Sequence, residues 1–328
     1  MKAVLCKEHG PPEKLVIDTV ADPKAVAGHV VIDTHVAALN FPDTLQIDGK
    51  YQFQPPMPFT PGSEVAGIIS AVGDGVSNVR VGDRVMAMNG LGGMAEKVLC
   101  PANAVRVLPA KMSMKVGAGF NMIYGTSYYA LKQRAALKPG ETLLVLGASG
   151  GVGLAAVELG KAMGAKVIAA ASTDAKLEIA KNAGADELVN YGDGDLKSKV
   201  KALTNQKGAD VIYDPVGGDL FHQASRCIAW DGRILVIGFA SGEIPSYRIN
   251  LALLKSASLV GVFWGAWRSQ FPDANEQNFV EMFDMYNAGK LNPLVTQAFP
   301  LERYADALNT FINRTAVGKV VLEVRQEN

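Results

Sequence analysis

Two spacings of apolar residues divide the chain. From Met1 to about Leu108, Val, Ile and Thr recur in short runs broken at Gly28, Pro61-Gly62, Gly73-Asp74-Gly75 and Gly82-Asp83. β-Branched side chains fit a pleated surface and glycine or proline ends a run, so this half predicts short strands joined by turns. Val30-Val31-Ile32-Asp33-Thr34-His35-Val36 partly alternates, and Gly67-Ile68-Ile69-Ser70-Ala71-Val72-Gly73 reads as a buried strand closed by a turn. A β-rich barrel is expected here.

Beyond Tyr124 apolar runs alternate with segments of helical period. Leu143–Leu146 reads as a buried strand, Gly153–Met163 as a helix, Lys166–Ala170 as the next strand and Lys176–Asn182 as the next helix. The alternation repeats through Val211–Tyr213, a helical stretch at His222–Ile228, and Arg233–Ile237. Such βαβ repetition predicts a parallel, doubly wound sheet, hence an α/β protein. After Trp264 come an amphipathic stretch, Phe279–Asn287, and a strand-like close, Lys319–Val324, expected to return to the first domain. The partition is therefore 1–122 with 263–328, and 123–262 between.

Composition narrows the class. The 328 residues suffice for about two domains. Lysine plus arginine equals aspartate plus glutamate at 32 each, so no net field draws the chain to nucleic acid or an anionic membrane. No stretch of about 18 uncharged apolar residues occurs, and charged residues interrupt the N-terminus at Lys2, Lys7 and Glu8; neither a signal peptide nor a membrane span is expected. Cys6, Cys100 and Cys227 are isolated, odd in number and without CxxC spacing, which predicts buried thiols and a cytoplasmic setting.

The chemistry concentrates after Leu146, where Gly147-Ala148-Ser149-Gly150-Gly151-Val152-Gly153 joins a strand to a helix. This is the setting of a dinucleotide turn. Gly150 lets backbone approach a pyrophosphate, Gly153 lets helix and strand pack closely, and the helix N-terminus offers N–H groups and a positive dipole to the anion. Ser149 to Gly153 are thus candidate cofactor contacts, although Ala148 stands where the strict GxGxxG pattern has its first glycine.

An NAD site carries an acid about 20 residues on, at the end of the second strand, for the ribose 2′-hydroxyl. Here Ser172 takes that place, and Lys176 follows one helical turn later to meet a 2′-phosphate. NADPH is favoured. The competing reading makes Asp174 the acid and Lys176 a solvated charge.

With those residues in view, the chain resembles the medium-chain dehydrogenase/reductase superfamily, and within it the zinc-free quinone oxidoreductases that include zeta-crystallin. The likeness covers nearly the whole chain. It rests on Asn40-Phe41-Pro42-Asp43, Pro61-Gly62-Ser63-Glu64-Val65-Ala66-Gly67, Val81-Gly82-Asp83-Arg84-Val85, Tyr124-Gly125-Thr126, the glycine turn, Asn190-Tyr191, Asp214-Pro215-Val216-Gly217-Gly218 and Gly238-Phe239-Ala240. The resemblance implies a GroES-like catalytic domain completed by the C-terminal tail, a Rossmann domain inserted between, and an active site in the cleft. It also implies that Tyr191 joins Ser172 and Lys176, and that Val216, Gly238, Phe239 and Phe263 line the cofactor path.

Zinc alcohol dehydrogenases of that superfamily hold metal through a cysteine shortly before the Asp43 position and a histidine in Gly-His-Glu. This chain has Leu39-Asn40-Phe41-Pro42 and Gly62-Ser63-Glu64, and its four histidines lack ligand spacing; no metal is expected. Without a Lewis acid, substrates that are already electrophilic fit best. A small-molecule quinone, or an alkene conjugated to a carbonyl, can take hydride while hydrogen-bond donors steady the developing charge. Asn40, Tyr51 and Thr126 are the candidate donors; equally, Asn40 suits a helix N-cap, Tyr51 a packed ring, and Thr126 a cap for a helix over Ser127–Lys132. An enoyl-thioester or other activated-alkene reductase, with Tyr51 as proton donor, and a non-catalytic NADPH-binding protein are the alternatives. The β-rich run Ala257–Phe263 predicts an edge that pairs with its twin in a homodimer.

Overall fold

The computed structural model describes residues 1–325, in two compact units: Met1–Met122 with the described residues from Leu294 onward, and Ile123–Pro293. In the second unit six strands form one parallel sheet, ordered Glu187–Asn190, Lys166–Ala171, Thr142–Leu146, Ala209–Asp214, Ile228–Val236, Ser258–Gly261. In chain order of these strands that is 3-2-1-4-5-6, the doubly wound order whose reversal lies between the first and fourth strands. The uninterrupted apolar run predicted the burial: Leu143, Leu144, Val145 and Leu146 lose all solvent contact, as a strand covered on both faces must.

The first unit is the expected β-rich half, a seven-stranded, largely antiparallel sheet. Its organiser is one long strand, His29–Leu39. One edge pairs with Glu64–Val72, while the other pairs first with Lys97–Pro101 and then with the C-terminal Lys319–Glu323. Register shifts at Val31/Ile32 and Thr34/Val36 bend it between those partners. Gly67 marks the crossing: a Cβ there would lie 2.1 Å from the Asp33 carbonyl oxygen. Val4, Ile32, Leu39, Ile69, Val85 and Leu322 form the core.

The segment 263–293, expected with the first unit, belongs to the second. Its helices Trp264–Gln270 and Pro272–Asn287 dock on Phe120–Tyr129 and the π-turn Ala130–Arg134 that continues it. The Trp264 ring presses on Gly125, where a Cβ would come within 2.5 Å of it, and Trp264 Nε1 donates to Asn275 Oδ1 at 3.0 Å. Lys132 Nζ meets Glu281 Oε2 at 2.6 Å. An amphipathic helix must cover something; this one covers its own unit. No helix among the described residues is long and apolar enough to cross a membrane.

Candidate functional site

The glycine turn sits at the sheet's order reversal, directly after the first strand. Gly147 takes φ +57°, the left-handed region that a Cβ disfavours, so the sharp turn is made one residue before the position expected to need glycine. Ala148 is fully buried, with its N–H on the Ala170 carbonyl at 3.0 Å; its methyl group is accommodated. A Cβ on Gly153 would lie 2.3 Å from Gly147 O and 2.9 Å from Ala148 Cα, the close helix–strand approach foreseen for it. Gly150 is the N-cap of Gly151–Ala162 and no side chain caps it. The N–H groups of Gly151, Val152 and Gly153 therefore face outward without intrahelical acceptors, as an anion site requires.

Beneath the turn, Ser127 Oγ lies 3.1 Å from the Val152 carbonyl and 2.8 Å from the Tyr213 hydroxyl, tying helix Phe120–Tyr129 and the fourth strand to the cofactor helix. At the end of the fourth strand Asp214 is buried and accepts N–H bonds from Val216 (2.8 Å) and Gly217 (2.9 Å). Burial pushes its carboxyl up, while those two donors pull it down. Val216 leans over Gly147, its Cγ2 3.0 Å from where a Cβ would be, and the Phe239 ring stands equally close to Gly217. A Cβ on Gly238 would make only an ordinary contact, 3.5 Å from Pro215 O. Val216 thus packs on the turn, while Gly238 and Phe239 lie beside Asp214 and Gly217. Phe263, expected among them, leaves the sheet level with the end of strand Ile228–Val236, through Val262 N–H to Val236 O at 3.1 Å, and is 66% exposed.

At the end of the second strand, parallel pairing sets Asn190 opposite Ala171. Tyr191 then donates its N–H to Ala171 O, and the next glycine approaches the Ser172 carbonyl. Ser172, Lys176 and Tyr191 share this corner. Thr173, not Asp174, caps helix Asp174–Asn182, accepting from Lys176 N at 3.3 Å. Asp174, the rival acid, accepts from Asn190 Nδ2 at 2.7 Å. Burial, then the Asp214 charge, pushes the Tyr191 phenol up, so its hydroxyl stays a donor.

In the first unit Asn40 caps Phe41–Ile47, with its N–H on Asp43 Oδ2 at 2.7 Å. Its side chain is occupied: Oδ1 accepts from Lys319 Nζ at 2.6 Å and Nδ2 donates to Glu64 Oε1 at 2.9 Å. Lys319 Nζ also bonds Glu64, with both side chains buried, and Glu64 Oε2 accepts the Met122 N–H at 2.9 Å. An ammonium ion thus sits between Asn40 and Glu64, beside the positions where zinc relatives place ligands. Asp43, fully enclosed next to this network, has its carboxyl pushed up to about 7, chiefly by burial and also by Glu64, against the Asn40 N–H and Lys319. Tyr51 is pushed up by burial and by Asp43, so it remains a phenol at neutral pH. Thr126 belongs to the other unit and lies inside Phe120–Tyr129, which corrects its reading as a cap: the helix runs on through Gly125, where the Trp264 ring packs. Lys319 and the Ser127–Tyr213 pair escaped the sequence reading, and Asp43 and Asp214 entered it only as motif residues without a role; a lone lysine before an apolar strand and an acid at a strand end were the only signals.

Residues 26–110 match the alcohol dehydrogenase GroES-like domain family, and residues 151–279 the zinc-binding dehydrogenase family. The second match excludes Asn40 and Ser63, the positions that stand where zinc ligands would be. A GroES-like domain joined to a Rossmann-type sheet is the architecture of the medium-chain dehydrogenases and reductases. Over 99% of this chain and 89% of its own length, the quinone oxidoreductase-like protein 2 homolog of Nematostella vectensis is 39% identical. The Homo sapiens quinone oxidoreductase is 34% identical over 98% and 97%. The Escherichia coli quinone oxidoreductase, solved as a complex with NADPH, superposes with a TM-score of 0.91 at 28% identity, covering 98% of this chain and all of that one. The chain belongs to the zeta-crystallin-like quinone oxidoreductase family of that superfamily.

Proposed function

We propose that this chain is an NADPH-dependent quinone oxidoreductase that works without metal. The observation that carries the reading is the uncapped glycine turn at the sheet's order reversal, with Ser172, Lys176 and Tyr191 gathered at the second strand's end. The N–H groups of Gly151, Val152 and Gly153 hold the pyrophosphate, and Lys176 with the Ser172 and Tyr191 hydroxyls holds the 2′-phosphate. An NAD-type site would offer an acid there instead, and Asp174 is engaged by Asn190. NADPH supplies the hydride from its nicotinamide C4. A quinone accepts it without a Lewis acid because its carbonyls already carry the electron demand. Tyr51, kept protonated, and Asn40, whose amide orientation Lys319 fixes, are the groups to steady the reduced oxygen; Thr126 is the third polar candidate.

The test is loss of NADPH absorbance with a panel of quinones, enoyl thioesters and alkenals. Turnover with quinones is expected. Turnover confined to thioesters or alkenals would move the protein to the activated-alkene reductases, and binding without turnover would leave an NADPH-binding module. Lys176→Glu should weaken NADPH far more than NADH; equal preference before and after would remove Lys176 from the site. We also infer a homodimer through the edge strand Ser258–Gly261 and a cytoplasmic location, the latter from the balanced charge and three buried, unbridged thiols; fractionation of the native cell tests it.

A further inference from the structure

The second unit has a cavity of about 260 Å³ between the last turn of helix Gly218–Ser225 and the segment from Ser246 to Leu251. His222, Arg226, Ser246, Tyr247 and Arg248 line it, and no carboxylate does. None of these residues belongs to the cofactor site described above.

The two arginines are set apart from the rest. Among the described residues every other arginine engages a partner, whether a carboxylate, carbonyl, amide or ring. Arg226 and Arg248 alone have none, and they face the same space. A guanidinium carries its charge at any accessible pH and presents a planar fork of donors. Two of them on one cavity repel, unless an anion completes the arrangement.

We propose that this cavity is a binding site for a phosphate-bearing small molecule, held between the Arg226 and Arg248 guanidiniums with help from the Ser246 and Tyr247 hydroxyls. Size limits the ligand. Pockets for drug-sized molecules run from about 300 to 1,000 Å³, so this one suits inorganic phosphate or a compact phosphate ester rather than a dinucleotide. The opposing charges are weaker. The helix C-terminus contributes about half a negative charge, and Asp219, seven residues before Arg226, lies about 10 Å away along the helix axis. Burial pushes the Tyr247 phenol up, leaving it a donor. Phe221 braces its ring edge-on, with centroids 5.6 Å apart, so a phosphate ester with a flat apolar group gains a face to rest on.

The test is a titration with inorganic phosphate and with phenyl phosphate, read by calorimetry and thermal melting against sodium chloride of equal ionic strength. The wild-type protein should bind at millimolar concentration or below, with a melting shift beyond the general salting effect of phosphate. The double variant Arg226→Gln/Arg248→Gln should weaken binding on the order of a hundredfold and retain only that salting effect. Lys176→Glu, which alters the proposed 2′-phosphate corner, should leave phosphate binding intact. Absence of binding in the wild type, or binding that survives the arginine variant and vanishes in Lys176→Glu, overturns the proposal. Neither result bears on NADPH oxidation by the arginine variant, which should match the wild type. Tighter binding of phenyl phosphate than of phosphate would identify an ester as the natural ligand.

Discussion

Lys319 carries a buried positive charge that only the fold makes tolerable. Its ammonium bonds Asn40 and Glu64, 279 and 255 residues away in sequence, and breaking one partner of such a pair leaves the other uncompensated. Lys319→Met should therefore destabilise the protein by about 3–5 kcal/mol in urea unfolding, while Lys319→Met/Glu64→Gln should recover much of that loss. Equal losses in the two variants would show that the pair is not the source. Asp43 offers a second readout. Its carboxyl titrates near 7 in the folded protein against an ordinary value of 3.8, so the folded state holds a proton that the unfolded chain releases. Stability from this group is full below about pH 4 and is lost as pH rises toward and through 7. Asp43→Asn keeps an oxygen for the Asn40 N–H and removes the titration; its unfolding free energy should fall less steeply than the wild type's between pH 5 and 8. Parallel curves would refute the assignment. Beyond Asn40 as an N-cap, none of this network was legible beforehand, because it joins residues by charge across the chain, and apolar periodicity reports only local burial.

At the scale of elements, legibility follows how local the cause is. Leu143–Leu146 could be read because a strand covered on both faces needs nothing but apolar side chains. The cofactor helix was expected from Gly153 and begins at Gly151, since a helix that opens on glycines offers no apolar repeat until its second turn. Gly147 was overlooked as the residue with positive φ because the motif was aligned on Ala148. These glycines separate two jobs. Gly153→Ala drives a Cβ into the backbone at Gly147 and Ala148, which cannot yield as a side-chain end does, so it should cost about 1–3 kcal/mol of stability and weaken NADPH binding too. Gly150→Ala meets only Gly147 O at 3.4 Å, so its melting should stay near wild type while NADPH affinity falls. Loss of affinity in neither variant would dissociate the turn from the pyrophosphate.

The whole molecule ends its second sheet on Ser258–Gly261, which is paired on one side only, with strand Ile228–Val236. A strand with a free row of N–H and C=O groups is an association hazard unless it is blunted by charge, covered or paired. Here Arg134 engages only the last carbonyl, Gly261 O, at 2.9 Å, while Leu259 is 47% exposed, and Leu253, Leu254 and Phe263 in the same unit are more open still. Apolar exposure of this kind on a charge-balanced chain favours a self-complementary partner, in which the same edge meets itself across a two-fold axis. Leu259→Lys places a charge where the twin strand would lie, the device natural edges use to stay alone. It should convert a dimer into a monomer in sedimentation at micromolar concentration. Because the paired neighbour Ile234 and the rest of the strand keep their hydrogen bonds, monomer melting should change little. A wild-type monomer under those conditions, or a variant that remains dimeric, would place the interface elsewhere.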